Sequence, residues 1–289
     1  MKRLLILSGK GGTGKTTTAA AFTRFAHARA VADCDVDAPN LHIVSKLDTV
    51  PEETDFLGGD KAVIDAEKCI GCGLCAEHCR FNAIKRAGDV YQIDEYACEG
   101  CGACEYVCPQ KAAVLHQDVA GQQKLYIGDT VFATAKLKMG RGNSGKLVTD
   151  VKMSMLRHAP DCELAIIDGS PGIGCPVIAS VSGVDLVLVV AEPSMSGISD
   201  LQRLVQTTDT FQTKIAVCVN KWDTSAESTA AIEAYCGEHD IPFVGKIPYD
   251  KSASLAINAG KSVADIDCPA SEALRQIFEK TSALLGIHS

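Results

Sequence analysis

Short, nearly unbroken apolar runs recur along the chain, and most are followed by a longer stretch with apolar residues at helical spacing. The runs at 3–7, 30–34, 164–168, 186–191, 215–219 and 244–247 are too short for helices and read as buried strands. Helical periodicity predicts helices over 15–29, 146–157, 176–182, 197–208, 226–239, 252–258 and 271–285. Buried strands alternating with helices specify a doubly wound α/β fold with a mostly parallel sheet. The alternation lapses between the second and third strands. Residues 117–145, with Gly121, Gly128, Gly140, Gly142 and Gly145, read as hairpin and loop, and 60–116 carry a different pattern altogether. The chain is therefore expected to divide into an α/β domain (1–59 plus 117–289) and a small domain (60–116) inserted at a surface loop. The last helix aligns Leu274, Ile277, Phe278, Thr281, Leu284 and Leu285 on one face. Only Arg275 and Lys280 are basic there, so it is expected to pack on the core rather than on a membrane.

Composition narrows the classes. With 289 residues, 46% of them hydrophobic, the chain can fill one α/β core and a small module. No apolar run approaches the ~18–20 residues of a membrane span. Met1-Lys-Arg passes directly into the first strand, so no secretory signal is expected. A net charge of −8 argues against a nucleic-acid partner or an anionic membrane. A cytoplasmic location is expected, since the cysteines require a reducing compartment.

Eight of the fourteen cysteines form two copies of one spacing. Cys69, Cys72, Cys75 and Cys79 read C-x2-C-x2-C-x3-C, and Cys98, Cys101, Cys104 and Cys108 repeat it, the second run ending in Pro109. Gly71, Gly73, Gly100 and Gly102 supply tight turns between the sulfurs, and Ile64-Asp65 and Ile93-Asp94 stand at matching positions ahead of each run. Zinc sites use four ligands with longer separations between pairs. The doubled run instead resembles bacterial ferredoxins with two [4Fe-4S] clusters, in which the fourth cysteine of each run serves the other cluster. That resemblance implies Cys69, Cys72, Cys75 and Cys108 around one cluster, and Cys98, Cys101, Cys104 and Cys79 around the other. Arg80 stands where a proline often follows the first run, placing a charge beside that ligand set.

At the other end of the chain, Gly9 to Thr16 fits G-x4-G-K-T, between a predicted strand and a predicted helix. In that context Gly11, Gly12, Thr13, Gly14, Lys15, Thr16 and Thr17 form a phosphate loop: backbone N–H groups face the phosphates, Lys15 reaches the β and γ oxygens, and the Thr16 hydroxyl ligates Mg2+. Two acidic segments accompany it. One is Asp33-Cys-Asp35-Val-Asp37; the other is Asp168-Gly-Ser-Pro-Gly-Ile-Gly-Cys175-Pro176, which follows an apolar run. Several carboxylates beside a phosphate site call for a metal to screen them.

The second lysine of the loop, Lys10, gives it the deviant form that resembles the MinD, ParA, Mrp and nitrogenase-iron-protein group of P-loop ATPases. The resemblance implies ATP and Mg2+, a nucleotide-dependent homodimer, and Lys10 reaching the partner's nucleotide. It further implies that Asp35 orients water in the Mg2+ shell and that Asp168 holds Mg2+ through water. Asn220, in Asn220-Lys221-Trp222-Asp223, and Pro248 would then flank adenine, although N-K-x-D is also the guanine-reading motif of GTPases. The resemblance extends to MinD-type ATPases with an inserted ferredoxin domain and covers the whole chain. The C-P-x-C pair of Mrp-type carriers is missing, because Val177 and Ile178 follow Cys175-Pro176. Cys175 is read either as a small buried thiol or, from its offset after Asp168, as a cluster ligand; Cys34, Cys236 and Cys268 are read only as buried thiols.

The expected architecture is thus an α/β P-loop NTPase sheet with an inserted small α+β bacterial-type ferredoxin domain. Three functions compete. The first is an ATPase that couples nucleotide-driven dimer or switch changes to electron transfer, through two clusters, to a redox partner of unknown identity. The second is an iron–sulfur cluster assembly or maturation factor. The third is a redox-sensing positional ATPase. Six basic against nine acidic residues in 60–116 leave the insert near −3, which suits a basic-patched redox partner.

Overall fold

The computed structural model describes residues 1–287, and they group into two compact units. In chain order the elements are β1 (Lys2–Leu7), α1 (Lys15–Phe25), β2 (Ala30–Asp33), α2 (Leu41–Val44), β3 (Glu52–Ile64), α3 (Leu74–Glu77), β4 (Ile84–Ala87), β5 (Val90–Ile93) and α4 (Ala103–Val107). These are followed by β6 (Ala113–Tyr126), β7 (Val131–Leu137), α5 (Ser144–His158), β8 (Leu164–Asp168), α6 (Cys175–Val181), β9 (Leu186–Ala191) and α7 (Met195–Asp209). The chain then forms β10 (Lys214–Asn220), α8 (Ala226–Glu238), β11 (Phe243–Ile247), α9 (Lys251–Asn258) and α10 (Pro269–Leu285).

The larger unit comprises 1–53, 123–136 and 144–289. Its strands lie in the order β11-β10-β9-β1-β8-β2-β7. Every registered pairing among them is parallel. Strands covered on both faces need apolar residues at successive positions, and β1, β8 and β9 answer with Leu4 to Leu7, Leu164 to Ile167 and Leu186 to Ala191, all buried. On one face α1 and α10 pack through Phe22 and Phe278, whose rings meet edge to face at 5.1 Å. The amphipathic face of α10 buries Leu274, Ile277, Phe278 and Thr281, as its periodicity predicts.

Three elements depart from expectation. Helix α1 stops at Phe25 rather than at 29, because His27 takes a left-handed φ of 46° that turns the chain into β2. The stretch read as hairpin and loop contributes β7 to the parallel sheet, with Ala30 paired to Val131 and Asp33 to Thr134. Strand β3 has no counterpart in the expected elements, since Glu52-Glu-Thr-Asp and the Gly58-Gly59 pair break any apolar alternation.

The smaller unit takes 54–122 and 137–143, so it is wider than 60–116 and draws on a second stretch of chain. Strands β3 and β6 are neighbours, and β4 and β5 form a separate antiparallel pair with Ile84 opposite Ile93. Its small core holds Ala62, Ala83, Ile84, Cys98, Cys104 and Ala113. Arg141 secures the second stretch: its guanidinium meets Glu95 at 2.7 Å and Asp118 at 2.8 Å and lies over the Tyr96 ring.

Candidate functional site

Strands β1, β2 and β8 end side by side, and their register sets Asp168 opposite both Ile6 and Asp33. This carboxyl edge of a parallel sheet is where α/β folds place ligands. After β1 the chain curls through Gly12 at φ 80° and Gly14 at φ 97°, so that Gly14 caps the start of α1 and Lys15 begins it. The left-handed φ favours glycine at Gly14, and a Cβ there would also displace the Asn220 amide, whose Nδ2 stands 2.2 Å away.

The Lys15 ammonium stands amid carboxylates, 2.7 Å from Asp168 Oδ1 and 3.6 Å from Asp35 Oδ2. Burial disfavours its charge, but Asp168, then Asp35 and Asp33, outweigh that, and its pKa lies above the ordinary lysine value. Asp33 accepts backbone N–H groups from Asp35, Asn40 and Leu41, so it pins the loop between β2 and α2. Burial, then the neighbouring Asp168 charge, push Asp33 up to about 7. Asp35 is also raised, by burial first, with Lys15 opposing. Asp168 Oδ2 is buried and makes no hydrogen bond. A buried, unpaired carboxylate oxygen on Asp168, with the Thr16 hydroxyl and the Asp35 carboxylate gathered about the same Lys15 ammonium, is a donor set that fits a hard, oxygen-liganded cation.

The loop is braced from β10. Asn220 Nδ2 donates to Thr13 O at 2.7 Å, and Lys221 Nζ reaches Gly12 O at 3.4 Å. Asp223 Oδ1 accepts the Tyr249 N–H at 2.8 Å, tying the turn after β10 to the one after β11, beside half-buried Pro248. Lys10 Nζ pairs with Glu192 Oε2 at 2.5 Å and donates to the Ser196 hydroxyl at 3.3 Å. Both Lys10 and Glu192 keep solvent access, 40% and 28%, so the pair is of the exposed kind that contributes ~1 kcal/mol or less.

In the smaller unit the two cysteine runs are built alike. Asp65 and Asp94 each accept a backbone N–H two residues on, and their carbonyls accept the N–H of Cys69 and Cys98. Gly71 and Gly100 occupy left-handed turns where a Cβ would strike the Asp89 and Asp60 carbonyl oxygens, at 2.4 and 1.9 Å. Gly73 and Gly102, also left-handed, start α3 and α4. Two cavities result. Cys69, Cys72, Cys75 and Cys108 line one, with Ile64, Ile70 and Pro109. Cys79, Cys98, Cys101 and Cys104 line the other, with Ile84, Ile93 and Phe81. Among the described residues no three His, Cys, Asp or Glu side chains gather at the spacing of a single bound ion. Burial, and then the neighbouring cysteines, push the Cys75 and Cys104 thiols up. Burial acts the same way on Cys108, but the amides of Ala112 and Ala113 outweigh it and its thiol is lowered.

Residues 4–263 match the CobQ/CobB/MinD/ParA nucleotide binding domain. The chain belongs to that family. It is 32% identical to an uncharacterized protein of Methanocaldococcus jannaschii, over 96% of this chain and 95% of the relative. It is 26% identical to an iron-sulfur cluster carrier protein of Pyrococcus abyssi, over 96% of this chain and 84% of that one. The cell division ATPase MinD of Pyrococcus furiosus has the same α/β P-loop fold, with a TM-score of 0.59, 16% identity, and coverage of 98% and 99% of the two chains.

Seen as a MinD/ParA-type domain, the structure brings Lys15, Thr16, Asp35 and Asp168 together at one sheet edge, with Asn220 against the loop. One expectation is corrected: Cys175 is not a buried thiol but an exposed one, at the first residue of α6, whereas Cys34, Cys218, Cys236 and Cys268 are buried. Glu192, the ion-pair partner of Lys10, escaped notice in the sequence. Its signal was a charged residue directly after the buried run of β9, at the ligand-bearing end of the strand. Among the described residues no helix is long and apolar enough to cross a membrane.

Proposed function

We propose that this protein is a Mg-dependent ATPase whose smaller unit is a two-cluster ferredoxin domain, and that nucleotide turnover gates electron transfer from those clusters to a partner. The observation that carries the reading is the sorting of cysteines into two cavities. Each is lined by three thiols of one run and the last thiol of the other, the exchange of fourth ligands that two-cluster ferredoxins make. Thiolates that repel one another across an apolar cavity are a donor set suited to a shared, positively charged iron–sulfur core. Once bound, such clusters supply one-electron chemistry.

The chain's own residues act as follows. The loop from Gly11 to Thr17 wraps the phosphates through its N–H groups, and Lys15 exchanges Asp168 for phosphate oxygens. Thr16 and Asp168, with its free Oδ2, hold Mg2+, the ion bound together with ADP in the septum site-determining protein MinD of Pyrococcus horikoshii. Asp35 orients the attacking water. ATP is favoured over GTP because the phosphate loop and both acidic segments follow the MinD/ParA ATPase pattern. Lys10 leaves its exposed partner Glu192 and reaches the nucleotide of a second copy, so ATP drives dimerisation.

The likeness to cluster carrier proteins of Pyrococcus supports a second reading, in which a cluster itself is handed over. One experiment separates the two. After anaerobic purification the protein should hold about eight irons and eight sulfides, two clusters of four, and Cys108→Ser should lose one cluster only. Redox titration with ADP, with a non-hydrolysable ATP analogue and without nucleotide should give different potentials or different electron-transfer rates. Equal potentials and rates in all three states, with cluster loss to an apo-ferredoxin acceptor on ATP addition, would make the protein a carrier instead.

A further inference from the structure

A cavity of about 200 Å³ lies at the edge of the sheet opposite the phosphate loop, alongside the C-terminal half of α1. Its floor is apolar, formed by Val31, Val44 and Phe132 among others, where β2 and β7 begin. Its polar lining carries three cation-capable side chains, Arg24, His27 and Lys46, and no acidic one. Arg24 has one carboxylate near it, Asp265, 3.8 Å from its Nε, but its Nη2 is buried and makes no hydrogen bond. The hydroxyl protons here are partly spent: Thr23 donates to Ala19 O and Ser45 to Leu41 O. What this wall still offers is mainly donors and positive charge, so an occupant has to supply acceptors and negative charge.

We propose that this cavity binds a small organic anion, a short-chain carboxylate or phosphate ester, by its charged end against Arg24, Lys46 and His27 and its carbon body against Val31 and Phe132. Guanidinium forks match both head groups. The volume falls below the roughly 300–1,000 Å³ of drug-sized pockets, which fits a metabolite of a few carbons and is too small for a second nucleotide. The placement gives the site its interest. The cavity touches the far ends of two segments whose near ends belong to the nucleotide site: α1, which starts at the phosphate loop, and α2, whose first N–H is held by Asp33. The proposal stands on this cavity alone and does not depend on the cysteines holding clusters.

Calorimetric titration of the full chain with succinate and, separately, with glycerol phosphate tests it, in the presence of saturating Mg-ADP. Saturable binding of at least one probe is expected. Arg24→Gln and Lys46→Gln should each weaken it about tenfold or more, the worth of a charge-assisted hydrogen bond, while Mg-ADP affinity stays as in the parent and vouches for the fold. Preference for one probe identifies the head group. No saturable binding of either, or binding that both substitutions leave unchanged, overturns the proposal.

Discussion

Lys15 is held by charge more than by packing, and this decides what its removal does. With the ammonium gone, Asp168 and Asp35 are left as buried carboxylates without a counter-charge. Breaking such a pair on one side typically costs about 3–5 kcal/mol. Lys15→Ala should therefore lose nucleotide binding and also lower the stability of the nucleotide-free protein by that order, read from urea melts in EDTA. Asp33 makes a second prediction. Its folded pKa, about 7, is above the unfolded carboxylate value, so the folded state binds the extra proton and stability falls as pH rises from about 4 to about 7. Melting temperatures of the nucleotide-free protein should decline across that window, and Asp33→Asn should flatten the decline. The gathering of Lys15, Thr16, Asp35 and Asp168 at one sheet edge could be anticipated because the glycine loop and both acidic segments directly follow apolar strands. The Asn220 brace on Thr13 could not, since a side chain reaching a backbone carbonyl 207 positions away leaves no local mark.

At the scale of elements, the parallel strands other than β7 were readable because they are buried on both faces and so are apolar nearly throughout. Strand β3 was hidden by the opposite condition: most of its residues are exposed, and nothing constrains their polarity. The helix after Asp168 illustrates a device that only the fold reveals. Lys152 of α5 is buried and gives its three protons to the carbonyls of Ala179, Ser180 and Ser182, at 2.9, 2.7 and 2.6 Å, closing the C-terminal end of α6. Burial lowers its pKa, and the nearby Cys34 counters only in part. Helix ends favour positive charge at their carbonyls. Lys152→Met keeps most of the volume but strands those carbonyls, and should cost about 1–3 kcal/mol in a denaturant melt. Because α6 begins at Cys175, the same substitution should speed alkylation of that exposed thiol.

For the molecule as a whole, the sequence pointed to a second, smaller unit within the chain, and the compact unit observed there has other limits than 60–116. The cysteine spacing marks where a small unit is expected, whereas the return of 137–143 to that unit is anchored by Arg141, a basic residue between two glycines. Arg141→Ala should lower the thermal transition of the smaller unit while leaving Mg-ADP affinity unchanged, as followed by calorimetry with and without nucleotide. The strand order carries a further consequence, for the ribosome rather than for the finished protein. Strand β8 lies between β1 and β2, so these two have no direct pairing with each other. Both are made before it and both are apolar at their centres, yet the strand that joins them begins only at Leu164. The intervening cysteine-rich unit draws on nearby chain and can close early, since local contacts form before distant ones. During synthesis the nucleotide site must therefore wait, with two sticky edges exposed, until the insert has already emerged.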